Sequence, residues 1–332
     1  MLVIPSGVED VSVFEFVRGI ASVPGYFCGA VAALGSFDGV HMGHRSVFAV
    51  SVEMARSLGK PAVILTFEPH PRVFFQPEHT FFLLTPLTEK LALIAECGLD
   101  GVIALQFASK LASLEPQSFI DSILIGKLQV SHVVIGDNFF FGHSRHGSVA
   151  FMKRELARLG VGIDVVDLLC TADGKAISSS RIRTALSTGD IDLATKMLGY
   201  RWFISANVIK GAGRGALLGF PTLNMMLPVG CGLAYGVYAV LFSYGGSNYA
   251  GAAYFGTRPQ FEENTFPMLE VHAIDSNGAL DVVMNDLGQC TVTFIAYIRP
   301  EMVFPSTREF VDRLAIDIAD VRCILNASCL FG

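Results

Sequence analysis

The stretch from Leu34 to Arg45, LGSFDGVHMGHR, constrains the fold of this chain more than any other segment. An apolar run over 29–34 precedes it and predicts a buried strand, and apolar residues recur at helical spacing over 47–58. The stretch is therefore a turn between a strand and a helix. The residues that matter most in it are two glycines and two histidines: Gly35, Gly39, His41 and His44.

A turn of this kind is suited to binding phosphate. Unpaired backbone N–H groups at a helix start point outward, and the helix dipole adds partial positive charge. His41 and His44 are three residues apart, so they lie on one face of the first helical turn. Two imidazoles there could donate hydrogen bonds to phosphate oxygens as charge builds in a transition state. The alternatives are an ordinary tight turn or a histidine pair that binds a metal, although no third ligand lies nearby.

The length of 332 residues indicates about two domains, and a hydrophobic share of 52% with 26 phenylalanines can fill large cores. The mean hydropathy of +0.50 is high. No stretch offers about 18 uninterrupted apolar residues, so we expect no transmembrane helix and no membrane partner. The first twenty residues lack the basic start and long apolar core of a signal peptide.

The net charge of −6, with no basic block, argues against a nucleic-acid partner. The seven cysteines are scattered and form no Cys-x-x-Cys pair. They are typical of reduced core residues in a cytoplasmic protein and do not indicate a disulfide framework or a zinc site. The sequence gives no indication of the oligomeric state.

From residue 29 to about 168, apolar runs alternate with helical patterns. The runs predicted as strands are 29–34, 62–66, 102–105, 132–135 and 163–168. The predicted helices are one that Thr85 caps and Pro86 begins, ending at Gly98, then Glu115–Leu128 and Ser148–Leu159. This alternation predicts an α/β fold with a doubly wound parallel sheet covered by helices on both faces.

Unusual polar segments follow four of these strands, and ligands bind beyond the carboxyl ends of strands in such sheets. The segments are the turn 35–45, TFEPHPR at 66–72, GDNFFFG at 136–142 and ISSSRIR at 177–183. The last one opens a helix with three serines followed by Arg181 and Arg183. Hydroxyls with arginine suit a triphosphate, and an ordinary serine cap with solvated arginines is the alternative.

The pattern changes after a short helical segment at 189–199. Closely spaced apolar or alternating runs follow at 202–209, 236–242, 249–255, 269–274 and 291–298, and Asn277-Gly278 is a hairpin signal. They predict a small antiparallel β-barrel. A helix with a Ser306/Glu309 capping box closes the chain. We therefore expect an α/β domain over 12–188, a linker helix over 189–199 and an all-β domain over 200–332.

A second glycine-rich segment, GAGRGALLGFPTLN at 211–224, lies in the later half. Such glycine density lets backbone N–H groups approach phosphates closely. Thr222 and Asn224 carry oxygen ligands suited to Mg²⁺, which keeps several waters when it is bound to nucleotide phosphates. A flexible hairpin loop is the alternative for this segment.

Several motifs together resemble one known family. The turn GSFDGVHMGH resembles the signature of nucleotidyltransferases that move an AMP or CMP group, and the segments at 66–72, 136–139 and 178–183 match the same family. GFPTLN at 219–224 resembles the phosphate and magnesium loop of riboflavin kinases, and GVY, GTRP and LEVH follow in that family's order. From about residue 29 onward, the chain resembles the bifunctional bacterial riboflavin kinase/FAD synthetase family.

The resemblance implies two reactions and the substrates ATP, riboflavin and FMN, with Mg²⁺ as cofactor. The later half would phosphorylate riboflavin to FMN, and the first half would transfer AMP from ATP to FMN, giving FAD and pyrophosphate. Catalytic roles are expected for His41, His44 and Glu270, the last as the base that accepts the proton of the riboflavin hydroxyl. The expected nucleotide-binding residues are Gly35, Phe37, Asp38, Gly39, Asn138, Ser178, Ser179, Ser180, Arg181, Arg183, Gly211, Gly213, Gly219 and Pro221. Thr222 and Asn224 are the expected metal ligands.

The chain departs from the family pattern at several positions. Phe140 replaces a usual arginine, Ala216 a usual basic residue, and Tyr254 and Gln260 the usual Asn and Thr, while the usual Tyr-Gly is missing near 281–285. Most departures fall in the kinase half. Three alternatives therefore stay open: an FMN adenylyltransferase with a degenerate second domain, a nucleotidyltransferase for another substrate, and a non-catalytic flavin-binding protein.

Overall fold

The computed structural model describes residues 14–76, 80–211, 214–257, 267–274 and 287–327. The chain forms two compact units, Met1–Ser179 and Ser180–Gly332. This division falls before the domain boundary predicted at residue 188, which stays a prediction for the functional domains.

The first unit contains a parallel sheet of six strands in the order β1-β4-β3-β2-β5-β6. The strands are β1 Glu15–Arg18, β2 Val31–Leu34, β3 Ala62–Glu68, β4 Gly101–Gln106, β5 His132–Gly136 and β6 Gly162–Val166. The chain winds from β2 through β3 to β4, and then reaches β5 and β6 on the other side of β2. The direction of winding therefore changes between β2 and β5, which is where ligands bind in doubly wound sheets.

The helices of this unit are α1 Met42–Leu58, α2 Pro71–Phe75, α3 Leu87–Ala95, α4 Ser109–Ala112, α5 Pro116–Phe119 and α6 Val149–Arg158. All four residues of β2 are buried, as expected for a central parallel strand with both faces covered. Ser148 caps α6 as predicted, since its hydroxyl accepts the N–H of Phe151 at 3.2 Å.

Three details of this unit differ from the prediction. The edge strand β1 was not predicted, because four residues are too few to show a strand pattern and β1 is stabilised by pairing with β4. The predicted helix at 115–128 is an α-helical turn that continues into a π-helix at Ile120–Ile125. Helix α3 begins at Leu87 without a side-chain cap, because the hydroxyl of Thr85 bonds to Gly39 and Asp38.

The second unit contains the predicted closed antiparallel barrel, in the order β10-β11-β8-β7-β12-β9. The strands are β7 Phe203–Ile209, β8 Leu223–Met226, β9 Gly236–Tyr244, β10 Ser247–Gly256, β11 Met268–Ala273 and β12 Gln289–Pro300. Strand β8 was not predicted, because it lies at the end of the glycine-rich segment and its pairing partners, β7 and β11, lie elsewhere in the chain. The predicted hairpin at Asn277-Gly278 lies outside the described residues.

Among the described residues, three helices accompany the barrel: α7 Ser179–Ser187, α8 Ile191–Leu198 and α9 Arg214–Leu217. The ring of Tyr297 packs so closely on Gly189 that a Cβ there would lie 2.7 Å from it. The N–H of Ala234 donates to the carbonyl of Leu186 at 3.0 Å. The connection between α7 and α8 is therefore packed onto the barrel.

A fourth helix, α10 Thr307–Ala327, ends the described chain. Its N-terminus is capped as predicted, because Ser306 accepts the N–H of Glu309 at 3.2 Å. Buried Asp317 binds Arg299 of β12 at 2.6 Å and Arg313 at 2.9 Å, which ties the helix to the barrel. No helix of the described residues is long and apolar enough to cross a membrane.

Candidate active sites

The turn after β2 is tight, with three residues in the left-handed region of backbone conformation and no room for a side chain at Gly35. Phe37, Gly39 and Val40 have φ values of 49°, 88° and 38°. A Cβ on Gly35 would lie 2.8 Å from the ring of Phe37, so a side chain there would displace that ring. The predicted strand-turn-helix is confirmed, and α1 begins one residue after His41.

Asp38 holds this turn against the loop before α3. The carboxylate is buried, and its Oδ1 accepts the N–H groups of Leu84 at 3.0 Å and Thr85 at 3.1 Å. The Thr85 hydroxyl in turn accepts the N–H of Gly39 at 2.9 Å. The side chain of Asp38 thus positions the turn.

His41 caps α1. Its Nδ1 accepts the N–H of His44 at 3.3 Å, and the side chain is buried. This bond places the proton of a neutral imidazole on Nε2, which makes Nε2 a hydrogen-bond donor. The two imidazoles stack with ring centroids 3.5 Å apart and planes 18° apart. The structure therefore brings the two predicted catalytic histidines together.

His44 lies between His41 and the edge of the Phe37 ring, whose centroid is 5.2 Å away. Its Nδ1 is buried and has no hydrogen-bond partner among the described residues. Burial above all, and then His41 and Lys90, lower the pKa of His44 well below its usual value. The imidazole is therefore neutral at physiological pH, and a buried nitrogen without a partner is costly unless a ligand or water satisfies it.

The start of α7 and the residues just before it also reach this turn. The hydroxyl of Ser179 donates to the carbonyl of Asp38 at 2.8 Å, and the carbonyl of Ile177 lies 4.0 Å from where a Cβ on Gly43 would be. The predicted residues Ser178, Ser179, Ser180, Arg181 and Arg183 precede α7 or lie in its first turns. Of these residues, Ser179 bonds to the turn through the carbonyl of Asp38.

Two further predicted segments lie at the same edge of the sheet. Asn138 is exposed just after β5, the neighbour of β2, and Phe140 after it lies under the guanidinium of Arg145 at 4.9 Å. His70 follows β3, caps α2 through the N–H of Arg72 at 3.1 Å and stacks on Phe81. The polar segments after β2, β3 and β5 thus share one edge, as predicted.

A second candidate site lies on the barrel, where three polar side chains follow one another across neighbouring strands. Glu270 of β11 is directly opposite Asn224 of β8 and directly opposite Tyr254 of β10. Directly opposite residues of antiparallel strands have Cβ atoms about 5 Å apart. The predicted base and one predicted metal ligand are therefore neighbours, although 45 residues separate them in the chain.

The glycine-rich segment leads into this row. A Cβ on Gly211 would lie 2.2 Å from Nδ2 of Asn224, and Gly219 has a φ of 87°. Nδ2 of Asn224 donates to the carbonyl of Thr222 at 3.3 Å. His272, two residues after Glu270, binds the carbonyl of Pro221 at 2.8 Å and so fixes the segment beside β11. Gly213, Gln260 and 281–285 lie outside the described residues.

Both halves match family models. Residues 24–181 match the FAD synthetase model, and residues 198–325 match the riboflavin kinase model. A bifunctional riboflavin kinase/FMN adenylyltransferase of Pseudomonas fluorescens is 34% identical over 95% of this chain and 99% of its own length. That of Escherichia coli K12 is 35% identical over 87% of this chain and 90% of its own.

This chain belongs to the bifunctional riboflavin kinase/FMN adenylyltransferase family.

As a member of this family it is an enzyme of FAD biosynthesis, with an FAD synthetase and a riboflavin kinase domain. A crystal structure described as a macrolide-efflux protein from Streptococcus pneumoniae is 27% identical, with a TM-score of 0.81 over 92% of this chain and 98% of that chain. The presence of both domains favours the bifunctional interpretation over an adenylyltransferase with a degenerate second half.

Three residues that shape these sites were not predicted as site residues: Lys90, Thr85 and His272. Lys90 is 1% exposed in the middle of a helix. The available signal was that Lys90 directly precedes the apolar run LALIA, because a charge among buried residues needs a buried partner. Thr85 was assigned to a helix cap, and His272 was noted only as part of a motif.

Proposed function

We propose that the first unit transfers AMP from ATP to FMN at the start of α1, and that His41 and His44 contact the nucleotide phosphates. The observation that carries this assignment is the stacked histidine pair at a helix N-terminus, in which His41 and Nδ1 of His44 are buried. Donors fixed before the reaction stabilise developing charge without reorganisation, and this is the largest contribution in many enzymes.

The step is an attack by an FMN phosphate oxygen on the α-phosphorus of ATP, with pyrophosphate as the leaving group. The Nε2–H of His41 would donate to a phosphate oxygen, and His44 would do so from the same face. Ser178, Ser179, Ser180, Arg181 and Arg183 are proposed to hold the triphosphate. Gly35, Phe37, Asp38 and Gly39 shape the turn, and Asn138 is proposed to bind the nucleotide from the end of β5.

The second unit is proposed to phosphorylate riboflavin beside Glu270. The Glu270 carboxylate would accept the proton of the riboflavin hydroxyl as that oxygen attacks the γ-phosphorus of ATP. Gly211, Gly213, Gly219 and Pro221 would let the backbone approach the phosphates.

Magnesium fits the residues beside Glu270. The Thr222 hydroxyl and the Asn224 amide oxygen are hard donors, and the bond from Nδ2 of Asn224 to Thr222 fixes the orientation of that amide. The described residues contain no cluster of three or more His, Cys, Asp or Glu side chains for a metal, which agrees with a cation held chiefly by nucleotide phosphates. Bound Mg²⁺ would neutralise charge on those phosphates. A cytoplasmic location and the lack of nucleic-acid or membrane partners remain predictions.

The test is alanine at His41, at His44 and at both, followed by separation of the flavins made from FMN and Mg·ATP. Loss of one such donor costs about 10²–10³ in rate, so FAD formation should fall at least that far. FMN formation from riboflavin by the same preparations is the control and should persist. Near-normal FAD synthesis by the double variant would contradict the proposal.

A further inference from the structure

Lys90 is a buried charge that the mechanism above does not use. It lies on α3 and is 1% exposed. Its Nζ donates to the carbonyl of Ser36 at 3.2 Å. A lysine is almost never fully buried unless it is paired, because desolvating an ammonium is costly. The burial of this ammonium against the turn that carries the histidines therefore needs a physical explanation.

The carbonyl of Ser36 is held from two directions. Lys90 reaches it from α3, and the hydroxyl of Thr66 reaches it from β3 at 3.3 Å. Ser36 precedes Phe37, whose ring packs edge-on against His44. The ammonium thus supports the turn directly behind the imidazole pair.

The charges around Lys90 favour its protonated form. Burial lowers the pKa of Lys90, while the carboxylates of Asp38 in the turn and Glu68 at the end of β3 oppose that shift. Among the groups around His44, His41 at the N-cap of α1 and Lys90 of α3 lower its pKa. Lys90 therefore adds positive charge beside His44, and an ammonium ordinarily titrates far above an imidazole.

We propose that Lys90 is a positioning residue for adenylyl transfer: its ammonium fixes the turn through Ser36 and supplies a constant positive charge beside His44. His44 then remains a neutral N–H donor, while the ammonium of Lys90 supplies positive charge that attracts the triphosphate. This inference rests on the proposed role of His41 and His44.

Three variants separate the charge of Lys90 from its hydrogen bond. Lys90→Met removes both, Lys90→Arg keeps the charge, and Thr66→Val removes the other donor to Ser36 without changing any charge. The measurements on the full chain are the histidine ring titration by NMR, with the His44 signal assigned through His44→Gln, and the pH profile of kcat/KM for FAD formation, which reports the free enzyme.

Because Lys90 lowers the pKa of His44, its removal should raise that pKa. We expect the His44 titration and the acidic limb of the profile to move to higher pH by roughly 0.5–1 unit in Lys90→Met. Both should stay in place in Thr66→Val and Lys90→Arg, even where the rate falls. A purely structural role would lower the rate at every pH without moving either one.

An unmoved His44 titration in folded Lys90→Met, or an equal movement in Thr66→Val, would overturn the inference. If Lys90→Met does not fold, Lys90→Gln is measured in the same way, and an unmoved His44 titration there would refute the inference. Retained FAD synthesis in the double histidine variant would instead refute the proposed function. The two failures are therefore distinguishable.

Discussion

Asp38→Asn tests whether the buried carboxylate is the clamp that the structure indicates. Oδ1 accepts N–H groups from Leu84 and Thr85, and Oδ2 lies 3.2 Å from the N–H of Leu84. An asparagine keeps the shape but places an NH₂ group on one side of this arrangement. The charge-assisted bonds of the carboxylate are then lost, and the NH₂ group faces a backbone donor at a side chain that is only 2% exposed.

The magnitude follows from these contacts. A hydrogen bond to a charged group contributes about 1.5–3 kcal/mol, and a buried unsatisfied donor costs about 1–3 kcal/mol. We therefore expect the free energy of unfolding of the first unit to fall by roughly 3 kcal/mol. For a unit of this size, each kcal/mol of lost stability lowers the midpoint temperature of thermal unfolding by about 2–4 °C, so we expect that temperature to fall by about 6–12 °C.

Calorimetry of the full chain measures this change, and Asp164→Asn is the matched control. Asp164 pairs with His132 at 3.0 Å but its side chain is 42% exposed, so its loss should cost no more than about 1 kcal/mol. FAD formation should fall in Asp38→Asn, because Thr85 no longer holds Gly39, while FMN formation continues. Equal melting of the two variants would refute the assignment of Asp38 as a clamp.

Two further predictions concern the second unit. Glu270→Gln should lower FMN formation by roughly 10²–10⁴ and leave FAD formation from supplied FMN unchanged, because only the kinase step needs the base; an equal rate of FMN formation would show that the base lies elsewhere. A fragment starting at Ser180 should melt cooperatively and bind flavin. It should also melt at a higher temperature than a fragment starting at Leu198, which lacks α7, most of α8 and the packing of Gly189 on Tyr297. A higher melting temperature for the shorter fragment would place the domain boundary later in the chain.

Local pattern determined the parts of this protein that depend on neighbours in sequence. The apolar run before Gly35 and the helical spacing after His44 predicted β2 and α1, because periodicity reports which face of an element is buried. The alternation of strands and helices predicted the parallel sheet, and the short closely spaced runs predicted the barrel. The stacked histidines follow from their spacing on one helical turn.

Tertiary structure decided what depends on distant residues. The pairing of Asn224 with Glu270 is set by barrel closure, and the four residues of β8 carry no periodicity that would reveal it. Lys90 bonds to the carbonyl of Ser36 only because α3 packs against the turn. The same packing places the hydroxyl of Thr85 at the N–H of Gly39, so Thr85 does not cap α3. Sequence pattern records which residues prefer burial, but which buried groups satisfy one another is settled only when the elements pack.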